Sequence, residues 1–182
     1  RTIAAPATVA GVGLHSGETC HVTFRPAPVD SGIVFARVDL DGAPQLRAHP
    51  DRLCQRARRT AMAEGEVEVH TTEHFMSAAA GLGIDNLLVE LDAVEMPGLD
   101  GSAYEFAEAL RTAGIVDQDA ARRAFTLSEP VAVSAGAASI IALPYHDGLK
   151  ITYSLDDHGG AFAGARMVEL EVTEDRFVDE IA

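Results

Sequence analysis

Between residues 18 and 25 the chain alternates. Cys20, Val22 and Phe24 fall on one side, and His21, Thr23 and Arg25 on the other. A period of two is the pattern of a strand with one buried face. Similar reasoning predicts strands over 8–12, from 33 to 35, over 66–69 and over 86–92. The period then lengthens in two places. Phe75, Met76, Ala79 and Leu82 recur at helical spacing, and Gly81 and Gly83 close the run. Thr71 or Thr72 can accept a hydrogen bond from the free N–H groups of that helix start, and Glu73 falls in its first turn, where the helix dipole favours a negative charge. Tyr104, Phe106, Ala107, Leu110 and Ala113 form a second helical stripe, which reads as core packing. Ser102 with Glu105 matches a capping box, and Gly114 suits the stop.

Turn residues separate these elements. Gly11, Gly13 and Gly17 surround Leu14-His15-Ser16, where the glycines allow positive φ or close backbone approach. It is not a G-x-G-x-x-G fingerprint, and no nucleotide-binding helix follows. Residues 26–32 read as a turn, and 117–123 as a polar linker. Strands resume over 125–127, 131–133, 139–143, 149–155 and 167–172, with His146-Asp147-Gly148 as a hairpin turn and 156–160 as a second turn. Thr173 can cap a last helix, with Glu174 and Asp175 in its first turn. Phe177 and Ile181 are still apolar where the sequence stops, so the chain is expected to be a piece of a longer protein. Strands followed by helices, twice over, indicate an α+β fold. The expectation is two domains of similar plan, each a mainly antiparallel sheet with helices on one face. They cover 1–118 and 124–182, with the second incomplete.

Composition narrows the functional classes. The chain has 182 residues, 47% of them hydrophobic, enough for a core. Its formal net charge is −14, which argues against non-specific nucleic-acid binding. No apolar run is long enough to span a bilayer, and no signal-peptide pattern is seen. Two cysteines, Cys20 and Cys54, do not make a disulfide framework, so a cytoplasmic setting is expected. Arg52, Arg56, Arg58 and Arg59 form the one basic cluster and read as a solvated face.

The candidate chemistry lies at Glu73-His74. A carboxylate and an imidazole at a helix N-terminus can hold a metal and activate its water. Glu-His pairs are common, however, and a capping or surface histidine explains the same residues. Neither H-E-x-x-H nor C-x-x-C occurs.

A wider set of motifs, in order, decides more. Gly11-Val12-Gly13-Leu14-His15-Ser16-Gly17, Arg25-Pro26-Ala27-Pro28, Gly32-Ile33-Val34-Phe35 and Val38-Asp39-Leu40 are followed by Thr72-Glu73-His74. Then come Ala79-Ala80-Gly81-Leu82-Gly83-Ile84-Asp85-Asn86, Leu99-Asp100-Gly101-Ser102-Ala103 and the closing Phe177-x-x-Glu180-Ile181-Ala182. This series resembles the UDP-3-O-acyl-N-acetylglucosamine deacetylase family, the zinc amidases of lipid A synthesis in Gram-negative bacteria. The resemblance implies a hydrolase that removes the N-acetyl group from UDP-3-O-acyl-N-acetylglucosamine, the committed step of that synthesis, in the cytoplasm and as a monomer. It implies Zn2+ as cofactor, with His74 as its first ligand and Glu73 as general base toward the attacking water. It places His15 near the substrate side of the cleft. Asp100 reads as structural, and His70 as second shell to the metal or, by preference, as a surface residue.

The family's remaining features are a His and an Asp in an H-K-x-x-D motif, a further His as general acid, and a Thr that polarises the carbonyl. None of them is found in these 182 residues. His146 and His158 stand at the wrong spacing to replace them. A catalytic zinc usually takes three protein ligands, so this chain alone is expected to bind zinc poorly and not to turn over. A catalytically inactive, family-derived binding or structural protein is the alternative. An unrelated α+β protein such as a phosphate-handling kinase domain is a weaker one, since no nucleotide loop is present.

Overall fold

The computed structural model describes residues 1–156 and 165–182. Contacts divide the chain into two compact units, Arg1–Ala120 with Phe177–Ala182, and Ala121–Arg176. Helices and mainly antiparallel strands are segregated along the chain, an α+β arrangement.

The first unit begins with β1 (Thr2–Ile3), β2 (Ala7–Val12), β3 (Thr19–Pro26), β4 (Ile33–Arg37) and β5 (Gln45–Arg47). Next are β6 (Leu53–Cys54), β7 (Ala61–Glu64), β8 (Val67–His70), helix α1 (Glu73–Gly81), β9 (Leu87–Leu91), helix α2 (Tyr104–Thr112) and β10 (Ile115–Val116). The main sheet has five strands in the order β2-β3-β9-β4-β5. All its pairs are antiparallel except β4 with β9. Strands β6, β7 and β8 form a small antiparallel meander, and β1 pairs with β10.

The predicted alternation holds on β3, where Cys20, Val22 and Phe24 are buried. Leu87, Val89 and Leu91 of β9 are buried in the same alternating way. Phe24 stacks on Phe75 of α1 at 5.0 Å between ring centroids. Phe35 of β4 and Phe106 of α2 meet Phe75 edge-on at 6.0 and 6.2 Å. Four buried aromatic rings thus lock both helices onto the sheet. The Cys20 thiol, buried and near the Asp92 carboxylate, is pushed up to about 11.

Several local expectations are revised. Thr72 is the N-cap of α1 but makes no side-chain cap bond, because its hydroxyl donates to the Thr60 carbonyl at 3.5 Å. Met76 is only half-buried, and Ala78 takes its place on the apolar face. Gly81 lies inside α1 because the Phe177 ring packs where its Cβ would stand; Gly83, at φ +64°, makes the turn. The capping box at Ser102 does not form. Asp100 Oδ1 instead accepts from Ser102 N and Oγ, and Ser102 Oγ accepts from Tyr104 N at 3.1 Å. Asp100 therefore braces the start of α2, as read. Asp117 and Gln118 are tied down: Arg1 Nε donates to Asp117, and Gln118 bonds Asn86 and the Ala27 carbonyl.

The second unit contains β11 (Val131–Ala135) paired with β12 (Ala138–Ala142), and β13 (Leu149–Asp156) paired with β14 (Ala165–Val172). The tight turn of the first hairpin is at Gly136, φ +60°, and His146-Asp147-Gly148 is not a hairpin turn, since it lies between β12 and β13, which do not pair with each other. The turn expected over 156–160 and His158 lie outside the described residues, apart from Asp156 at the end of β13. Thr173 Oγ1 accepts from Arg176 N at 3.2 Å, the cap foreseen for the short helix Glu174–Arg176. The following π-turn, Phe177–Ile181, belongs to the first unit, where Phe177 is buried. Among the described residues, no helix is long and apolar enough to cross a membrane.

Candidate active site

The site is built at the shoulder between β8 and α1. Strand β8 ends at His70, and α1 begins at Glu73. Thr71 makes the bend with φ +56°, a left-handed conformation that a β-branched residue rarely adopts. The segment after β9 holds this bend from the side. His70 N donates to the Val94 carbonyl at 2.8 Å, and Met96 N donates to the His70 carbonyl at 3.0 Å. The result is an isolated parallel bridge between His70 and Glu95.

Glu73 and His74 both stand half-buried in the first turn of α1. Glu73 Oε2 accepts from Thr60 N at 3.0 Å, which ties the helix start to the loop before β7. Asp100 sits below the usual carboxylate range, mainly through the Ser102 N–H and O–H and only weakly through His74. The side chain of His70 turns to Glu68, with Nε2 to Oε2 at 2.7 Å, and is 12% exposed. It is therefore neither a free surface histidine nor aimed at the shoulder.

His15 is exposed on the turn between β2 and β3. Gly13 N donates to the Glu18 carbonyl at 2.8 Å, and Gly17 N to the Gly13 carbonyl at 2.9 Å. Gly98 N donates to the Val12 carbonyl, which sets the end of β2 against the loop leading to Asp100. At Gly11 a Cβ would come within 3.1 Å of Pro97 and 3.2 Å of Leu99. The turn, the shoulder and the 94–101 segment are thus one connected assembly.

The residue that connects them is Glu95, which sequence reasoning passed over. It is 1% exposed. Its carboxylate accepts from His15 N at 3.1 Å, Ser16 N at 2.6 Å and Thr71 Oγ1 at 2.7 Å. Burial alone would raise its pKa, but the hydrogen bonds from Thr71, Ser16 and His15 outweigh it and bring it down to about 2. One signal was available: a lone acid within Ala93-Val94-Glu95-Met96-Pro97, an apolar run where a charge has to find partners.

The basic cluster is not uniformly solvated. Arg52 pairs with Glu64 and Arg56 with Glu68, while Arg59 is half-buried. Arg25 pairs with Glu90 at 2.7 Å across the sheet.

Among the described residues, no group of three or more His, Cys, Asp or Glu is placed to hold a metal ion. His74 offers one imidazole, and a catalytic zinc takes three protein ligands. The donors present do not by themselves fit a zinc site.

Comparison with known proteins decides the family. The model of the LpxC family, UDP-3-O-acyl N-acetylglycosamine deacetylase, matches residues 1–182. The chain belongs to this deacetylase family. It is 41% identical over 183 aligned positions to the UDP-3-O-acyl-N-acetylglucosamine deacetylase of Alcanivorax borkumensis. It is 40% identical to that of Thioalkalivibrio sulfidiphilus and 39% identical to that of Bdellovibrio bacteriovorus. Each match covers the whole of this chain and 60% of the relative, so the chain spans about three-fifths of the length of these family members.

Proposed function

We propose that this chain serves the removal of the N-acetyl group from UDP-3-O-acyl-N-acetylglucosamine, with release of acetate, in lipid A synthesis. The family match over all 182 residues carries the reading. The half-buried Glu73-His74 pair at a helix start supports it. In this reading His74 is one ligand of a Zn2+ ion, which would supply a Lewis acid and a more acidic water when bound. Glu73, steadied by Thr60 N on one oxygen, has its other oxygen to take the proton of the attacking water. His15, displayed on its turn, contacts the substrate. The further zinc ligands are not among the residues described. The proposal includes a monomeric, cytoplasmic protein, on the family's pattern.

The test is acetate release from UDP-3-O-acyl-N-acetylglucosamine by the natural protein that carries this sequence. Glu73→Ala is expected to lower kcat by about 100-fold or more while leaving the fold intact, the range of a lost general base. Undiminished deacetylation by Glu73→Ala sinks the reading. His74→Ala is expected to lower bound zinc, measured by elemental analysis, and unchanged zinc content removes His74 from the ligand set.

A second reading is a family-derived protein without catalysis. In it the chain binds the UDP-sugar without hydrolysing it. Titration of the substrate with simultaneous acetate measurement separates the two.

A further inference from the structure

We infer that Glu95 is a positioning residue of the deacetylase site: one buried carboxylate that fixes both the turn carrying His15 and the bend that aims Glu73 and His74. The inference rests on the function proposed above and adds a residue to it.

Three observations carry it. The first is the double attachment. Both Glu95 oxygens are used, Oε2 by Ser16 N and Oε1 by Thr71 Oγ1, and His15 N reaches both at 3.1 and 3.2 Å. These donors come from two segments about eighty and twenty-four residues away in sequence. The second is the strain at Thr71. Its φ of +56° is unfavourable for a β-branched side chain and persists only where neighbours hold it. Glu95 binds that side chain directly, two positions before Glu73. The third is the shape of the turn. The backbone N–H groups of His15 and Ser16 point inward to the carboxylate, while the side chains of Leu14, His15 and Ser16 remain exposed. Gly13 suits the turn, because a Cβ would overlap the Ser16 hydroxyl and come within 2.6 Å of Glu95 Oε2. A turn fixed through its backbone with its side chains left displayed is the build of a binding loop on a rigid support.

An ionised carboxylate suits this task because it only accepts. Four contacts from N–H and O–H groups leave no place for a donor. Glu95→Gln keeps the shape but puts an NH2 at one of the two oxygen positions. At Oε2 it faces Ser16 N–H; at Oε1 the Thr71 hydroxyl can turn to accept from it, but His15 N–H is left with Oε2 alone. In either orientation the turn gives up one acceptor for its N–H groups and the charge that strengthens the rest. Displacement of a reacting group by about 1 Å can lower a rate about 100-fold.

The experiment is steady-state deacetylation of UDP-3-O-acyl-N-acetylglucosamine by the natural protein, as wild type, Glu95→Gln, His15→Ala and the double variant. Folding is checked by thermal unfolding. Glu95→Gln is expected to lower kcat/KM roughly 30- to 100-fold in a folded protein. Residues that act as one unit are non-additive, so His15→Ala should lower kcat/KM by about 10-fold in wild type but less than about 3-fold in the Glu95→Gln background. A purely structural Glu95 would instead give losses that multiply. Multiplying losses, or a folded Glu95→Gln with unchanged kcat and KM, overturn the inference. If Glu95→Gln does not fold, Thr71→Val removes only the hydroxyl bond at constant shape. It is expected to lower kcat/KM by about 10-fold, and full activity there overturns the inference equally. Glu73→Ala, run alongside, separates the failures. Activity retained in Glu73→Ala sinks the deacetylase reading together with this inference. Activity lost in Glu73→Ala but kept in Glu95→Gln sinks this inference alone.

Discussion

The aromatic layer around Phe75 and the bend at Thr71 are four residues apart in sequence and are held by opposite means. Phe75 is buried among Phe24, Phe35 and Phe106, and its stabilisation is non-directional, in proportion to the area removed from water. Thr71 is just as buried, but it stays in a strained conformation through one hydrogen bond to a buried charge. An apolar layer tolerates shape changes that keep its volume. A buried carboxylate has no such tolerance, since every lost donor leaves part of a charge unpaired. The start of α1 is thus anchored by the bulk of Phe75 on one face and aimed by directional bonds at the bend before it, where the candidate chemistry lies.

The largest break should come on the apolar side. Phe75→Ala removes the ring that touches the other three aromatics, and the site has little room to collapse between sheet and helices. A loss of about 3–5 kcal/mol in unfolding free energy is expected. Urea unfolding measures it; a loss below about 1 kcal/mol would show that α1 is not docked through this ring.

Acid should act on the polar side. Glu95 ionises near 4.5 when unfolded and near 2 when folded. Its stabilisation is complete above pH 4.5, fades as pH falls towards 2 and is gone below that. A lowering of this size corresponds to about 3 kcal/mol. Stability against pH, compared between wild type and Glu95→Gln, should therefore show a steeper acid limb in wild type. Parallel limbs would mean that the Glu95 carboxylate is not ionised in the fold.

How far each side could be read from sequence follows from the same physics. Burial of Cys20, Val22 and Phe24, and of Phe75, Phe106 and Leu110, is written as a period, because bulk packing depends on which face a residue shares. The α+β class followed from that periodicity. Glu73, His74 and His15 are proposed from motif order rather than from periodicity. Glu95 carries no period and no motif spacing, since its partners are backbone N–H groups of a distant turn and a threonine at an unusual φ. The caps failed for a related reason. Thr71, Thr72 and Ser102 each had a competing partner, in Glu95, the Thr60 carbonyl and Asp100, that only the tertiary structure brings near.

A smaller effect sharpens the contrast. At Gly13 the two means of support meet, because the missing side chain is what lets the turn close on Glu95. Gly13→Ala is expected to destabilise by about 1–3 kcal/mol through overlap with the Ser16 hydroxyl and the Glu95 carboxylate. In the Glu95→Ala background the same substitution should cost clearly less, since the carboxylate is gone and only the overlap with the Ser16 hydroxyl, which can rotate away, is left. Equal losses in both backgrounds, by thermal unfolding, would show that Gly13 is required by Ser16 or by its own backbone and not by Glu95.

The smallest effect should be seen where a carboxylate is bonded in the open. Arg25 Nε donates to Glu90 Oε2 at 2.7 Å, as short as the Thr71 bond to Glu95, but the two side chains are 46% and 25% exposed. Water and salt screen the pair, and either partner left alone is resolvated. Arg25→Met keeps much of the stem that covers β3 and β9 and removes only the charge. A loss of about 0.2–1 kcal/mol is expected, and it should shrink further at 1 M salt. A loss above about 2 kcal/mol that salt leaves unchanged would place the Arg25 pair with Glu95, among bonds whose strength comes from exclusion of water. Distance would then have been a sufficient guide. The small, salt-sensitive loss instead assigns the difference between the two carboxylates to burial alone.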